Sequence, residues 1–176
     1  MSPFKKSSLT AKEKLRPISG FPELLPEERR VELDWIDQIR TIFESYGFAS
    51  IEPRIVEPID VLLKQGDTDK EIYTLGRLLD TPNSDKEPTF GLHYDLTIPM
   101  ARYVAANMGK LDFPFKRYQI QKAWRGERPQ DGRFREFMQC DIDVVDTREV
   151  PLHFDVEIPA IMNQVLESIN AGPVFT

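Results

Sequence analysis

Residues 115–145 read FKRYQIQKAWRGERPQDGRFREFMQCDIDVV, and this stretch narrows the possible folds more than any other. Two segments of alternating polarity flank a connection from Gly126 to Gly132 that contains glycine and proline. The pattern predicts an antiparallel hairpin with a long loop. In the first arm Tyr118, Ile120 and Trp124 share one face, and Arg117, Gln119, Gln121 and Arg125 share the other. In the second arm Met138, Cys140, Ile142 and Val144 form an apolar face opposite Phe137, Gln139, Asp141 and Asp143. A face that only meets solvent is more often built of Lys, Thr and Glu than of this mixture of amide, carboxylate, aromatic and arginine.

Charge concentrates on the same stretch. From Lys116 to Arg135, Lys116, Arg117, Lys122, Arg125, Arg128, Arg133 and Arg135 stand against only Glu127 and Asp131, in a chain of net charge -6. An arginine fork pairs with phosphate or carboxylate, so an anionic ligand at the open end of the hairpin is one expectation. A basic rim that only aids solubility is the other. The acidic balance of the whole argues against non-specific nucleic-acid binding over the entire surface but leaves a local basic site open.

The length of 176 residues, with 40% hydrophobic and 30% charged side chains, suffices for one compact soluble domain with a sizeable core. One cysteine excludes an internal disulfide, and with two histidines it is a poor supply for a zinc site, so no metal ligands are assigned. The start MSPFKKSSLTAKEKL carries no apolar segment, and no run approaches a membrane span of about 20 apolar residues. A cytoplasmic location without membrane contact is the default expectation.

From the N-terminus, residues 1–14 are polar and basic and are expected to form a flexible leader; RPISGFPELLP follows as an irregular strap. Pro26, Glu27 and Glu28 open a helix, and Val31, Trp35, Ile39, Ile42, Phe43 and Tyr46 form its apolar stripe up to Gly47. GFASIEPRIVEP reads as a strand broken by Pro53, Ile59–Gln65 as a short helix, Glu71–Leu75 as a strand, and Arg77–Pro88 as a surface turn. Asp67–Lys70 reads as an acidic-basic turn of a kind common on any surface. In FGLHYDLTIPMARY a strand ending at Tyr94 runs into a helix. Asp95 with Thr97 at that junction could grip an ammonium group, or one of them could simply cap the helix. The DVEIPAIMNQVLESIN helix turns Ile158, Ile161, Met162, Val165, Leu166 and Ile169 inward; His153 before it is a surface or cap residue, and Cys140 a packing residue. No GxGxxG, GxxxxGK[ST] or nucleophile elbow is present.

Taken together, Trp124-Arg125-Gly126-Glu127-Arg128-Pro129-Gln130 and Gly132-Arg133-Phe134-Arg135-Glu136-Phe137, continued by Gln139, resemble the second signature motif of class II aminoacyl-tRNA synthetases. More narrowly they resemble the histidyl-tRNA synthetases, and Gln-Cys-Asp-x-Asp resembles the eukaryotic-type form. The segment HYDLTIPMARY resembles "LRYDLTxPxARY", with His93 where arginine is usual, and the first helix with the strand at Pro53 resembles the first class II motif. The strap resembles the family's entrance, with Glu23 at its acidic position.

This resemblance runs from about Leu15 to the end. It implies an α+β fold, an antiparallel sheet flanked by helices that is incomplete at the C-terminus, in which 15–176 form a partial catalytic domain. Motifs 1 and 2 are present; motif 3, the histidine-specific segment and the anticodon-binding domain are not. The implied activity is that of a ligase in protein biosynthesis: ATP-dependent activation of histidine and its transfer to histidine tRNA. ATP with Mg2+ is the substrate complex, and no tightly bound cofactor is implied. Arg125 then matches the catalytic arginine on the α-phosphate, Glu127 the partner on the adenine side, Phe137 the ring that packs on adenine, and Arg133 a residue near the terminal phosphates. Asp95, Thr97, Gln139 and Asp143 match the histidine-binding positions, and Trp35, Ile39, Phe43 and Pro53 fall in the motif that builds the homodimer interface. Two alternatives stay open: a non-catalytic synthetase-like module regulating through protein contacts, and a small nucleic-acid-binding domain using the basic hairpin.

Overall fold

The structure is a computed structural model that describes residues 10, 15–63, 71–76, 89–170 and 172. The leader apart from Thr10, the end of the helix expected to reach Gln65, the turns at Asp67–Lys70 and Arg77–Pro88, and all of the final six residues but Gly172 lie outside the described residues. Chain contacts divide into two units. The first comprises 1–23, 54–99 and 122–137, and the second 24–53, 100–121 and 138–176.

The second unit is built on helix α1, Pro26–Ser45. Pro26 fills the first helical position, where no N–H partner is needed, and Glu27 and Glu28 lie in the first turn beside its positive end. Leu25 has no side-chain acceptor to cap the helix, but Glu28 reaches back to accept from the Leu25 N–H at 2.8 Å. Arg40 and Asp37 pair along its surface at 2.9 Å. The helix stops at Gly47, whose φ of 78° reverses the chain. Helix α1 packs on helix α4, Phe154–Ser168. Ile39, Ile42 and Phe43 pack with Tyr118, Ile161 and Val165 in one apolar cluster, joined by Cys140, Ile142 and Val144. The expected stripe is therefore half right. Val31 and Trp35, at 46% and 42% exposed, lie outside the apolar cluster that Ile39, Ile42 and Phe43 share with α4.

Strands β5 (Phe115–Trp124) and β6 (Glu136–Val145) form a sheet with the short strand β1, Ala49–Ser50, in the order β1-β5-β6. β1 runs parallel to β5, pairing Ala49 with Arg117 and Ser50 with Tyr118. The sheet is thus mixed rather than wholly antiparallel. At the loop end of β5 and β6 the partners run in opposite order: the Arg125 N–H donates to the Arg135 carbonyl at 2.9 Å, and Trp124 Nε1 to the Glu136 carboxylate at 2.8 Å. The hairpin expected from alternation is present, and its two strands contribute residues to both units.

The first unit holds a second antiparallel sheet, ordered β2 (Val56–Pro58), β4 (Phe90–Leu92), β3 (Thr74–Leu75). Helix α2 spans Ile59–Leu62, and helix α3, Thr97–Asn107, begins where this unit ends. The strand expected over Glu71–Leu75 keeps only its last two residues, and the strand expected to end at Tyr94 stops at Leu92. Among the described residues no helix is long and apolar enough to cross a membrane.

Candidate active site

In the first unit the hairpin loop is fixed from two sides. The Gly126 N–H donates to the Glu71 carbonyl at 2.7 Å, and a Cβ on Gly126 would stand 3.0 Å from that same oxygen. A side chain there would have to displace backbone, which accounts for the glycine. Gly20, at φ 83°, accepts from the Arg135 and Glu136 N–H groups at 2.8 and 3.0 Å, and the Arg135 side chain packs over it. Arg135 Nε donates onward to the Glu127 carbonyl at 2.9 Å. The strap before α1 therefore clasps the end of the loop.

That scaffold holds Arg125. Its guanidinium carbon lies 4.5 Å from the Tyr94 ring centroid and 4.9 Å from that of Phe137. Both distances suit a cation against a ring face. Nε donates to the Tyr94 carbonyl at 3.4 Å. The cation is thus steered by two rings and a carbonyl, and among the described residues no carboxylate is paired with it. Beside it Glu127 accepts from Arg133 at 2.8 Å and more weakly from the Tyr94 hydroxyl at 3.4 Å. Burial pushes the Tyr94 phenol up, with the Arg125 charge opposing it. Sequence reasoning does not single out Tyr94, although an aromatic residue next to Asp95 is the available signal.

At the β4–α3 junction Asp95 Oδ1 accepts from the Thr97 N–H at 3.0 Å and the Ile98 N–H at 3.4 Å. The capping alternative is therefore realised by Asp95, while Thr97 is the exposed first residue of the helix. His93 is fully buried. Its Nε2 lies 2.6 Å from the Lys122 carbonyl, which only accepts, so Nε2 carries the hydrogen; the ring packs on Trp124 at 5.5 Å. It ties the end of β4 to β5 from inside, at the position where arginine is usual.

In the second unit the polar face of β5 is a core face. Arg117 and Gln119 are 0% exposed and Gln121 8%. They form a directional chain. Arg117 Nη1 donates to Gln119 Oε1 at 3.5 Å, Gln119 to Gln121 at 2.6 Å, and Gln121 to the Pro53 carbonyl at 3.0 Å. Arg117 also pairs with Asp143. Burial pushes the Asp143 carboxyl up, with the Asp141 charge adding and Arg117 opposing; burial likewise pushes the Arg117 guanidinium down. Gln139 Nε2 donates to both Asp141 oxygens, at 3.2 and 3.0 Å, leaving its buried Oε1 without a partner among the described residues.

The four residues expected at a dimer interface separate. Ile39, Phe43 and Pro53 are buried, the first two in the apolar cluster, and only Trp35 is exposed. The side chains of Ile39 and Phe43 are part of the chain's own core. Cys140 packs in that cluster, and burial pushes its thiol up to about 11. His153 is exposed and precedes α4 without a side-chain cap bond. A cavity of about 270 Å3 in the second unit, lined by Met100, Val104, Met108, Phe113 and Val145 among others, touches none of the expected site residues.

This mixed sheet with its flanking helices is the fold of class II aminoacyl-tRNA synthetases. A Bacillus halodurans structure described as an ATP phosphoribosyltransferase regulatory subunit/histidyl-tRNA synthetase aligns with a TM-score of 0.74, covering 90% of this chain and 39% of its own, at 20% identity. That likeness is one of fold alone. Residues 20–174 match the family described as histidyl-tRNA synthetase, and the chain belongs to that family. The histidine–tRNA ligase of Thermobifida fusca is 58% identical over 160 residues, 91% of this chain and 36% of that protein. The crystal structure of histidyl-tRNA synthetase from Nostoc sp. PCC 7120 aligns with a TM-score of 0.77 at 42% identity, over 90% of this chain and 35% of its own. The chain thus spans about a third of the length of these relatives.

Proposed function

We propose that this chain serves, within a protein of its relatives' length, the ATP-dependent activation of histidine and its ligation to histidine tRNA. The observation that carries the reading is Arg125, a cation steered by the Tyr94 and Phe137 rings and held by a backbone carbonyl, with no carboxylate paired with it among the described residues. Histidine's carboxylate attacks the α-phosphorus, pyrophosphate leaves, and negative charge grows on the phosphoryl oxygens. A fixed guanidinium binds that charge more tightly than it binds the ground state, which is the source of the rate. Phe137 is proposed to offer its ring to adenine, Glu127 to read the adenine side, and Arg133 to meet the terminal phosphates after exchanging its pairing with Glu127. Magnesium enters as part of the nucleotide substrate. Asp95, Thr97, Gln139 and Asp143 are proposed to hold histidine, and a homodimer is proposed to form through the segment that carries Trp35, Ile39, Phe43 and Pro53, with Trp35 its exposed side chain. The segment alone is proposed to be weakly active at most.

The test is histidine-dependent exchange of labelled pyrophosphate into ATP by the full-length protein carrying this segment, with Arg125→Ala and Arg125→Lys beside it. Loss of the guanidinium is expected to lower the rate by about two orders of magnitude, roughly 3 kcal/mol, and lysine to restore part of it. Both variants should keep the wild-type thermal unfolding curve. Exchange with a different amino acid, no exchange at all, or a wild-type rate in Arg125→Ala overturns the proposal; no exchange favours the non-catalytic regulatory reading, and a wild-type rate in Arg125→Ala favours a differently placed active site.

A further inference from the structure

Gln139, Asp141 and Asp143 alternate along β6, so their side chains leave the strand on one face. The Gln139 amide could present either its oxygen or its nitrogen to a neighbour, and nothing in its own shape decides which. Asp141 decides it. Both of its oxygens lie within 3.0–3.2 Å of the Gln139 nitrogen, and a carboxylate only accepts. A flipped amide would press its carbonyl oxygen against two like-charged oxygens. The amide is therefore held with NH2 toward Asp141, and its Oε1 is buried and unpartnered among the described residues. A buried acceptor without a donor is costly and rare, so it is a position where a donor is wanted. One register step on, Asp143 is a second acceptor, steadied by the buried cation Arg117.

We infer that Asp141 is a positioning residue that locks the Gln139 amide so that its carbonyl oxygen, and not its NH2, faces the amino-acid substrate. The inference rests on the proposed role of Gln139 and Asp143 in holding histidine, and it adds the sign of the recognition. The groups that Gln139 and Asp143 offer from this strand are acceptors, so they take N–H donors, which an ammonium and an imidazole possess. The sequence alone hides this, because a carboxylate two residues from a glutamine reads as one more polar position.

Pyrophosphate exchange by the full-length protein, with KM measured separately for histidine and ATP, tests the lock. In Asp141→Asn the new amide can donate or accept, and Gln139 is free to turn. The KM for histidine should rise about tenfold or more, as expected when a buried hydrogen bond is lost, while the KM for ATP stays within twofold. The double variant Gln139→Glu with Asp141→Asn exchanges the two chemistries at the same net charge. The amide introduced at position 141 donates, the carboxylate introduced at position 139 can only accept, and an acceptor again faces the substrate. Its KM for histidine should return to within about threefold of wild type. Gln139→Glu alone sets two carboxylates against each other and should be worse than the double variant, a comparison that stands even if Asp141→Asn fails to fold. A KM for histidine in Asp141→Asn within twofold of wild type overturns the inference. So does a double variant no better than either single one, or an equal rise in both KM values, which a general loosening of the sheet would give. A wild-type protein that exchanges without responding to histidine removes the functional reading and this inference together. Normal wild-type exchange with an unaltered Asp141→Asn removes this inference alone.

Discussion

Replacing Arg117 by methionine tests the physics of the second unit without any assumption about substrate. Methionine fills much of the same volume but leaves Asp143 without its cation and Gln119 Oε1 without its donor. Breaking a buried ion pair from one side costs about 3–5 kcal/mol. Here only Arg117 is fully buried; the Asp143 side chain is 40% exposed, so water takes over part of its solvation. Discounting for that exposure brings the expected loss near pH 7 to about 2 kcal/mol. The Arg117–Gln119 bond, at 3.5 Å, adds less than about 1 kcal/mol. The loss should depend on pH in a definite direction. The folded-state pKa of Asp143 is raised, so between the unfolded value of about 3.9 and the folded one the native state holds the extra proton. Ionising Asp143 therefore subtracts stability as pH rises through that window. Arg117 opposes the rise, so without it the window widens and more stability is lost at neutral pH. Near pH 3.5, where Asp143 is largely protonated in both states, the variant should lose less than half as much. Urea denaturation of the 176-residue chain followed by circular dichroism at both pH values measures this, with Asp143→Asn in the same background expected to recover most of the neutral-pH loss. An equal loss at both pH values, or no recovery in the double variant, would refute the electrostatic argument.

Two further outcomes follow from burial. With its thiol pushed up to about 11, Cys140 should be alkylated near pH 8 roughly two orders of magnitude more slowly than a free cysteine until urea opens the core, and a mass-spectrometric rate within tenfold of free cysteine would contradict its placement. Trp35→Asp should leave the unfolding curve unchanged while abolishing any concentration-dependent dimer in light scattering, whereas Phe43→Asp should unfold the unit; a Trp35→Asp dimer as tight as wild type would remove that helix from the interface.

Alternation and helical spacing make the hairpin and both long helices legible, because each has a face that must be dry. The outer half of α1 misleads for the same reason. Val31 and Trp35 continue the apolar period of Ile39 and Phe43, and periodicity does not say where the packing partner ends. Only the contact with α4 makes that distinction. The short strands β1 and β3 carry two residues each, too few for any period to show.

The polar face of β5 shows most clearly why site and core are hard to separate in a sequence. Arg117, Gln119 and Gln121 have the composition of a binding surface, yet they are as buried as Tyr118 on the opposite face. They can be, because the chain of donors ends on a backbone carbonyl, Pro53, and starts from a cation that cannot accept. Every amide in it has one satisfied orientation, so the row costs far less to bury than its polarity suggests. Asp95 poses the same problem at the other sheet. Its carboxylate caps α3, which is the plain structural alternative to gripping an ammonium group. The two roles do not compete, since a carboxylate accepts at about four lone-pair positions and a capped one is better aimed than a loose one. Residue type and spacing therefore identify which positions are polar for a reason. Whether that reason is a ligand or the fold depends on where each hydrogen bond ends, and that is fixed by partners such as the Pro53 carbonyl and the Asp141 carboxylate, whose part in it their residue type does not announce.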